Sequence, residues 1–204
     1  RDEQEVPVFG FDYLSATELQ TWADADCPIG QSRAEAKVLV AHCQKTKCVF
    51  SHVIPQKGID VDRYAVERLA RDIQWLGHTR IILKSDNEKA IVKLLTEVLK
   101  SLRVTPLEQA TQQHPAAYDP NSNGATEATC KRVGGLLRTL KFDFEERFRM
   151  SPNTDHPIFA WLTEHVGWIL TVREKLADGR TPYQLARGSK FNRECLAFGE
   201  NIFY

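Results

Sequence analysis

Residues 80–95, RIILKSDNEKAIVKLL, change their hydrophobic period in mid-course, and few folds accommodate such a change. Ile81, Ile82 and Leu83 form the short apolar run of a strand buried on both faces, and Lys84 and Ser85 break it. Ile91, Leu94, Leu95, Val98 and Leu102 then recur at helical spacing, with Lys89, Lys93 and Glu97 on the other side. A buried strand running straight into an amphipathic helix is a unit of an α/β sheet. Asp86 falls at the junction, the carboxyl end of the strand, where such sheets bind ligands and metals. Asp is also a favoured helix cap, and Glu88 in the first turn suits the helix dipole. From the junction alone, cap and ligand stand side by side.

The rest of the chain supplies strands and helices around this unit. Residues 6–13 read as a strand with Asp12 near its end. Residues 14–35 are acidic and broken by Pro28 and Gly30, which suggests an insertion or loop with a short helix around 17–23. Two β-rich runs, 36–43 and 48–54, joined by Gln44-Lys-Thr-Lys47, predict a hairpin and hence an antiparallel start. Residues 62–76 carry Val66, Leu69, Ala70, Ile73 and Leu76 on one helical face, and Gly77 ends that helix. After the helix that runs to about Leu102, residues 104–111 are a weaker strand in which Pro106 confines pairing to the later part. Residues 112–124 turn to Gln, His, Pro, Asn, Ser and Gly, the composition of a mobile surface loop.

A long helix follows, with Cys130, Val133, Leu137, Leu140, Phe144 and Phe148 as its stripe and Glu127 in its first turn. Gly134 and Gly135 weaken it by about 1 kcal/mol each relative to Ala unless close packing requires them. The next helix spans 157–175 on Phe159, Leu162, Val166, Ile169 and Leu170, and Asp178-Gly179 stops it. The tail, 180–204, is expected to pack back on the core. At 204 residues the chain suffices for one good core, 1–150, with a helical extension packed on it, 151–204.

Charge and cysteines narrow the function classes. The formal net charge is zero, but residues 1–35 hold eight acidic and two basic residues, which leaves the later part basic. That permits an anionic partner without requiring one. Cys27, Cys43, Cys48, Cys130 and Cys195 are odd in number and widely spaced, which argues against a disulfide framework and for a reducing compartment. The spacing of His42, Cys43, Cys48 and His52 matches no common zinc module. No stretch reads as a signal peptide or as an apolar run long enough to span a membrane. The sole Met is Met150, as expected of a piece cut from a longer protein.

Asp12, Asp86 and Glu127 stand at the ends of three elements that one sheet edge could bring together. Such a cluster repels itself unless divalent cations neutralise it, and hard oxygen ligands suit Mg²⁺ or Mn²⁺. Two ions about 4 Å apart would clamp the attacking and leaving oxygens of a phosphoryl displacement.

Local motifs sharpen this. Phe11-Asp12-Tyr13, Lys84-Ser85-Asp86-Asn87 and Pro120-Asn-Ser-Asn123-Gly124-Ala-Thr-Glu127, in this order, resemble the catalytic core of retroviral and retrotransposon integrases, the D,D-E group. In detail the chain is most similar to copia-type LTR retrotransposons, because Arg180-Thr-Pro-Tyr183, Gly188 and Phe198-Gly199 resemble the segment after their core. The resemblance implies a ribonuclease-H-like α/β fold: a mixed sheet with an antiparallel start and then parallel strands, flanked by helices, with a C-terminal helical extension. It implies that Asp12 bridges two Mg²⁺ or Mn²⁺ ions, that Asp86 holds one with it and Glu127 the other. Asn123 and Gly124 would shape the loop that admits a DNA end. Lys131, one turn after Glu127 on the same face, would contact phosphate or base, a solvated helix lysine being the equal alternative. Arg132, Arg138 and Lys141 read as surface.

The implied activity is metal-dependent 3′-end processing of element DNA and strand transfer into target DNA, by a homo-oligomer that acts in the nucleus and contacts no membrane. Two other classes remain: a ribonuclease H or similar two-metal nuclease, and a catalytically inactive DNA-binding remnant. The chain departs from the family in four respects. Glu88 replaces a usual Gly, and Ala128 a common Arg. The intervals between Asp12 and Asp86 and between Asp86 and Glu127 are long. No H-x-x-x-H with a following C-x-x-C is present.

Overall fold

The computed structural model describes residues 6–14, 37–103, 108–113, 124–194 and 196–200. The helix expected near 17–23, the acidic stretch up to residue 36, the start of the 104–111 strand, residues 114–123 with Asn123, and Cys27 and Cys195 lie outside them.

Strand β1, Val8–Leu14, shows why the sheet is covered on both sides. Phe9 and Phe11 enter one core and Leu14 the other, as the period of two demands. Strands β2, Lys37–Cys43, and β3, Val49–Ile54, form the expected hairpin, in which Leu39, Ala41 and Cys43 face the first core and Val38 and Val40 the second. Strand β4, Arg80–Ser85, runs parallel to β1, and the short, half-exposed β5, Gln109–Gln113, runs parallel to β4. The order is β3-β2-β1-β4-β5, antiparallel on one side of β1 and parallel on the other.

Helices α1, Tyr64–Leu76, and α2, Lys89–Leu102, bury their apolar stripes in the first core. The start of α1 is held by Asp60, whose carboxylate accepts the Tyr64 and Ala65 N–H groups at 2.9 and 3.2 Å. Gly77 closes it in a left-handed conformation, φ 70°. Helices α3, Gly124–Phe148, and α4, Pro157–Val172, cover the second core with Cys130, Val133, Leu137, Phe159, Leu162 and Val166. Within α3, a Cβ on Gly135 would meet nothing within 4 Å, so packing does not require that glycine.

Helix α4 lies hard against the edge strand β3. A Cβ on Gly167 would stand 2.8 Å from Ser51 Oγ and 3.0 Å from its nitrogen. The Thr171 hydroxyl accepts the Val49 N–H at 3.0 Å and donates to the Val49 carbonyl at 2.9 Å, which occupies strand-edge groups that would otherwise be unpaired. The tail contains a helix that the sequence reading did not separate, α5, Pro182–Arg187. Its signal was present: Thr181 and Gln184 form a capping box, Pro182 opens the first turn and Gly188 ends the last. No helix among the described residues is long and apolar enough to cross a membrane.

Candidate active site

The parallel pairing of β1 with β4 sets the site. Phe11 is in register with Ser85, so Asp12, still within β1, and Asp86, the first residue after β4, stand side by side near the carboxyl ends of adjacent strands. Ser85 is buried and its hydroxyl donates to the Asp86 carbonyl at 2.9 Å, fixing the strand's exit. Asp86 is not the helix cap. The N-cap of α2 is Glu88, without a side-chain cap bond, and Asp86 Oδ1 instead accepts the Glu88 N–H at 3.2 Å in a local turn.

Asp12 Oδ1 accepts the N–H of Tyr13 at 2.8 Å. Burial raises its carboxyl from 3.8 to about 6, the Tyr13 N–H opposes this, and the charges of Asp86, Glu127 and Glu88 push it further up. All three neighbouring acids therefore act on Asp12.

Glu127 reaches this region through Gly10. The alternation of β1 places Gly10, Asp12 and Leu14 on the face that α3 covers. At Gly10 a Cβ would stand 2.1 Å from Thr126 Oγ1. Only a missing side chain lets the first turn of α3 settle on β1, and Glu127 is the next residue. Thr126 is buried and its Oγ1 has no hydrogen-bond partner among the described residues, whereas Glu127 is exposed. A glycine inside a strand signals close approach of another backbone or ligand, so this contact was legible in principle.

The three carboxylates share a field but not a coordination centre. Among the described residues, no three His, Cys, Asp or Glu side chains form a group that could hold a metal ion. The donor chemistry nevertheless fits a hard divalent cation: three carboxylates, one raised by burial and like charge.

Glu88 is held aside by Lys57, whose Nζ lies 3.0 Å from each carboxylate oxygen. Neither Lys57 nor the role of Tyr13 was visible in the sequence, because the turn that carries Lys57 meets β1 and α2 only in three dimensions. Burial raises the Tyr13 phenol to about 12; the Gly58 N–H opposes this, and the charges of Glu88, Asp86 and Asp12 add to it. Gly124 is the first residue of α3, Lys131 is exposed on that helix, and Asn123 lies outside the described residues. Arg132 pairs with Glu174 at the surface. Lys141 departs from the surface expectation: it is 4 % exposed and its Nζ bonds Glu145 at 2.7 Å.

The His and Cys residues of the hairpin take separate partners. His52 Nε2 lies 2.6 Å from Asp72 Oδ2, Cys43 Sγ lies 3.7 Å from His78 Nε2, and Cys48 Sγ donates to the Pro182 carbonyl at 3.5 Å. Burial, then the charges of Lys47 and Arg132, lowers His42 to about 4. A cavity of about 570 Å³ opens between α1, β3 and α4, walled by Phe50, Trp75, Trp168, Tyr183 and Phe191, and none of the three acids lines it.

No protein-family model matches the sequence, and no curated protein matches it. Solved structures do. The catalytic core domain of BIV integrase matches with a TM-score of 0.51 at 15 % identity, over 88 % of this chain and 92 % of that one. The catalytic core domain of HTLV-2 integrase, in complex with magnesium and in a trimeric form, matches with 0.51 at 12 % identity, over 88 % and 95 %. A chain of the simian T-cell lymphotropic virus intasome in complex with PP2A regulatory subunit B56 gamma matches with 0.57 at 15 % identity, over 97 % of this chain and 60 % of that one. At these identities the likeness is one of fold: a ribonuclease-H-like mixed sheet flanked by helices, as in integrase catalytic cores.

Proposed function

We propose that this chain is the catalytic core of an integrase, a D,D-E polynucleotidyl transferase most similar to copia-type LTR retrotransposons. The observation that carries the reading is the side-by-side position of Asp12 and Asp86 near the carboxyl ends of the parallel strands β1 and β4, with the first turn of α3, which bears Glu127, seated on β1 at Gly10. Asp12, Asp86 and Glu127 would together hold two Mg²⁺ or Mn²⁺ ions. Bound there, the ions supply charge neutralisation and activation of the attacking oxygen. The chain's own residues orient the reaction. Asp12 and Asp86 are set by backbone N–H groups, and Glu127 stands exposed on the first turn of α3, where its charge acts on Asp12.

In the first step a water oxygen bonds to phosphorus at the DNA end and the 3′-oxygen leaves as a free hydroxyl. In the second that hydroxyl attacks a target phosphodiester, whose own 3′-oxygen leaves. Asn123, Gly124 and Lys131 would line the DNA end, and a homo-oligomer would hold two ends within the nucleus. The division into a core, 1–150, and an extension packed on it, 151–204, belongs to the same reading.

The test is strand transfer on an oligonucleotide copying the end of the parent element. Loss of mere second-layer support at metal sites costs about 10- to 100-fold, so Asp86→Asn is expected to lose at least about 100-fold. Full activity in that variant would overturn the mechanism. That no three acidic, His or Cys side chains among the described residues form a ready coordination group favours a second reading, an inactive DNA-binding remnant. Calorimetry with Mn²⁺ separates the two, since a remnant shows no binding that depends on Asp12 and Asp86.

A further inference from the structure

The turn between β3 and α1, residues 55–58, touches the carboxyl end of β1 and the start of α2. Its Gly58 N–H donates to Tyr13 Oη at 3.0 Å. Gly58 has φ +87°, and a Cβ there would lie 3.4 Å from the Ala90 carbonyl in the first turn of α2. Between these anchors Lys57 Nζ sits 3.0 Å from each oxygen of Glu88 and 4.8 Å from the centroid of the Tyr13 ring. Each partner of Lys57 is bonded to one of the strand-end acids. Tyr13 gives its N–H to Asp12, and Glu88 gives its N–H to Asp86.

A pair as exposed as Lys57 and Glu88, 43 % and 35 %, adds little to stability. Its consequence is local. Glu88 directly follows Asp86-Asn87, and its charge already acts on Asp12. Unrestrained, it is a fourth hard-oxygen donor, two residues from Asp86 and close enough for its charge to act on Asp12. An ammonium bonded to both of its oxygens and backed by an aromatic face competes with any divalent cation for that carboxylate.

We propose that Lys57 is a positioning residue that keeps Glu88 out of the metal-binding set, so that Asp12, Asp86 and Glu127 alone define it. The inference rests on the metal-binding reading above. Without Lys57, Glu88 joins the set and changes both its charge and its geometry.

The experiment is calorimetric titration of the full chain with Mn²⁺, comparing Lys57→Met in the wild-type and Glu88→Gln backgrounds. Deleting a nearby positive charge tightens cation binding in either background, so the comparison isolates the donor. With Glu88 present the gain is expected to be about tenfold, and in the Glu88→Gln background no more than about threefold. Lys57→Arg, which keeps the pair, is expected to stay near wild type. Equal gains in the two backgrounds overturn the role of Lys57 while leaving the metal site intact. Absence of Mn²⁺ binding in wild type overturns the site and this role together.

Discussion

Asp12 carries an electrostatic load that the fold alone does not relieve. Its folded carboxyl titrates near 6 rather than 3.8. Between about pH 4 and 6 the folded protein therefore retains a proton that the unfolded chain has released, and stability falls as pH rises through that window. Without divalent cations, Asp12→Asn is expected to be more stable than wild type above pH 6, by on the order of 1–2 kcal/mol after allowance for partial solvent exposure. Below about pH 4 the difference should vanish, and urea denaturation at several pH values checks it. A difference independent of pH would remove burial and like charge as its cause. Gly10 acts by absence. Gly10→Ala drives a methyl group into Thr126 Oγ1, whose side chain is buried and has nowhere to turn, and is expected to cost about 1–3 kcal/mol. Thr126→Ala should recover most of that loss in the double variant, because the nearest remaining atom lies 3.4 Å away. Additive losses would show that the contact is not the cause.

Among the helix–strand pairs of the described residues, β3 and α4 pack most extensively. A sheet edge normally presents unpaired backbone groups to water or to another chain. Here Thr171 takes both such groups of Val49, Ser51 Oγ donates to the Thr163 carbonyl at 2.6 Å, and Gly167 lets the two backbones meet. Thr171→Val keeps the shape and removes both bonds, and is expected to cost about 1–3 kcal/mol by chemical denaturation, as a buried unsatisfied amide requires. A loss below a few tenths would mean that water replaces the hydroxyl. Thr163, Gly167 and Thr171 of α4 stand outside the apolar stripe read from the sequence. They are the positions at which the helix meets a strand edge rather than a sheet face, which helical periodicity does not distinguish.

For the whole molecule, the second face of the sheet depends on the chain beyond residue 150. Phe159, Leu162, Val166 and Leu170 of α4 share one core with Val38, Val40 and Val49. Full burial of such a side chain contributes about 1.5–3 kcal/mol, so losing four approaches the 5–15 kcal/mol stability of an ordinary domain. Residues 1–150 alone are expected to show no cooperative thermal transition by circular dichroism. A sharp transition would make that segment an independent unit. By itself the sequence determined the kind and order of the main elements, the hairpin, and the placing of Asp12 near the end of its strand and of Asp86 directly after its own. Those properties are local, since a period of two or of 3.6 records which side of a segment is buried. Only the tertiary structure decided the order β3-β2-β1-β4-β5, the seating of α3 on Gly10, the burial of Lys141, the capture of Glu88 by Lys57 and the exposure of Glu127. Each depends on which surfaces meet or how a turn is seated, and a segment's own pattern says that a face is buried without saying against what.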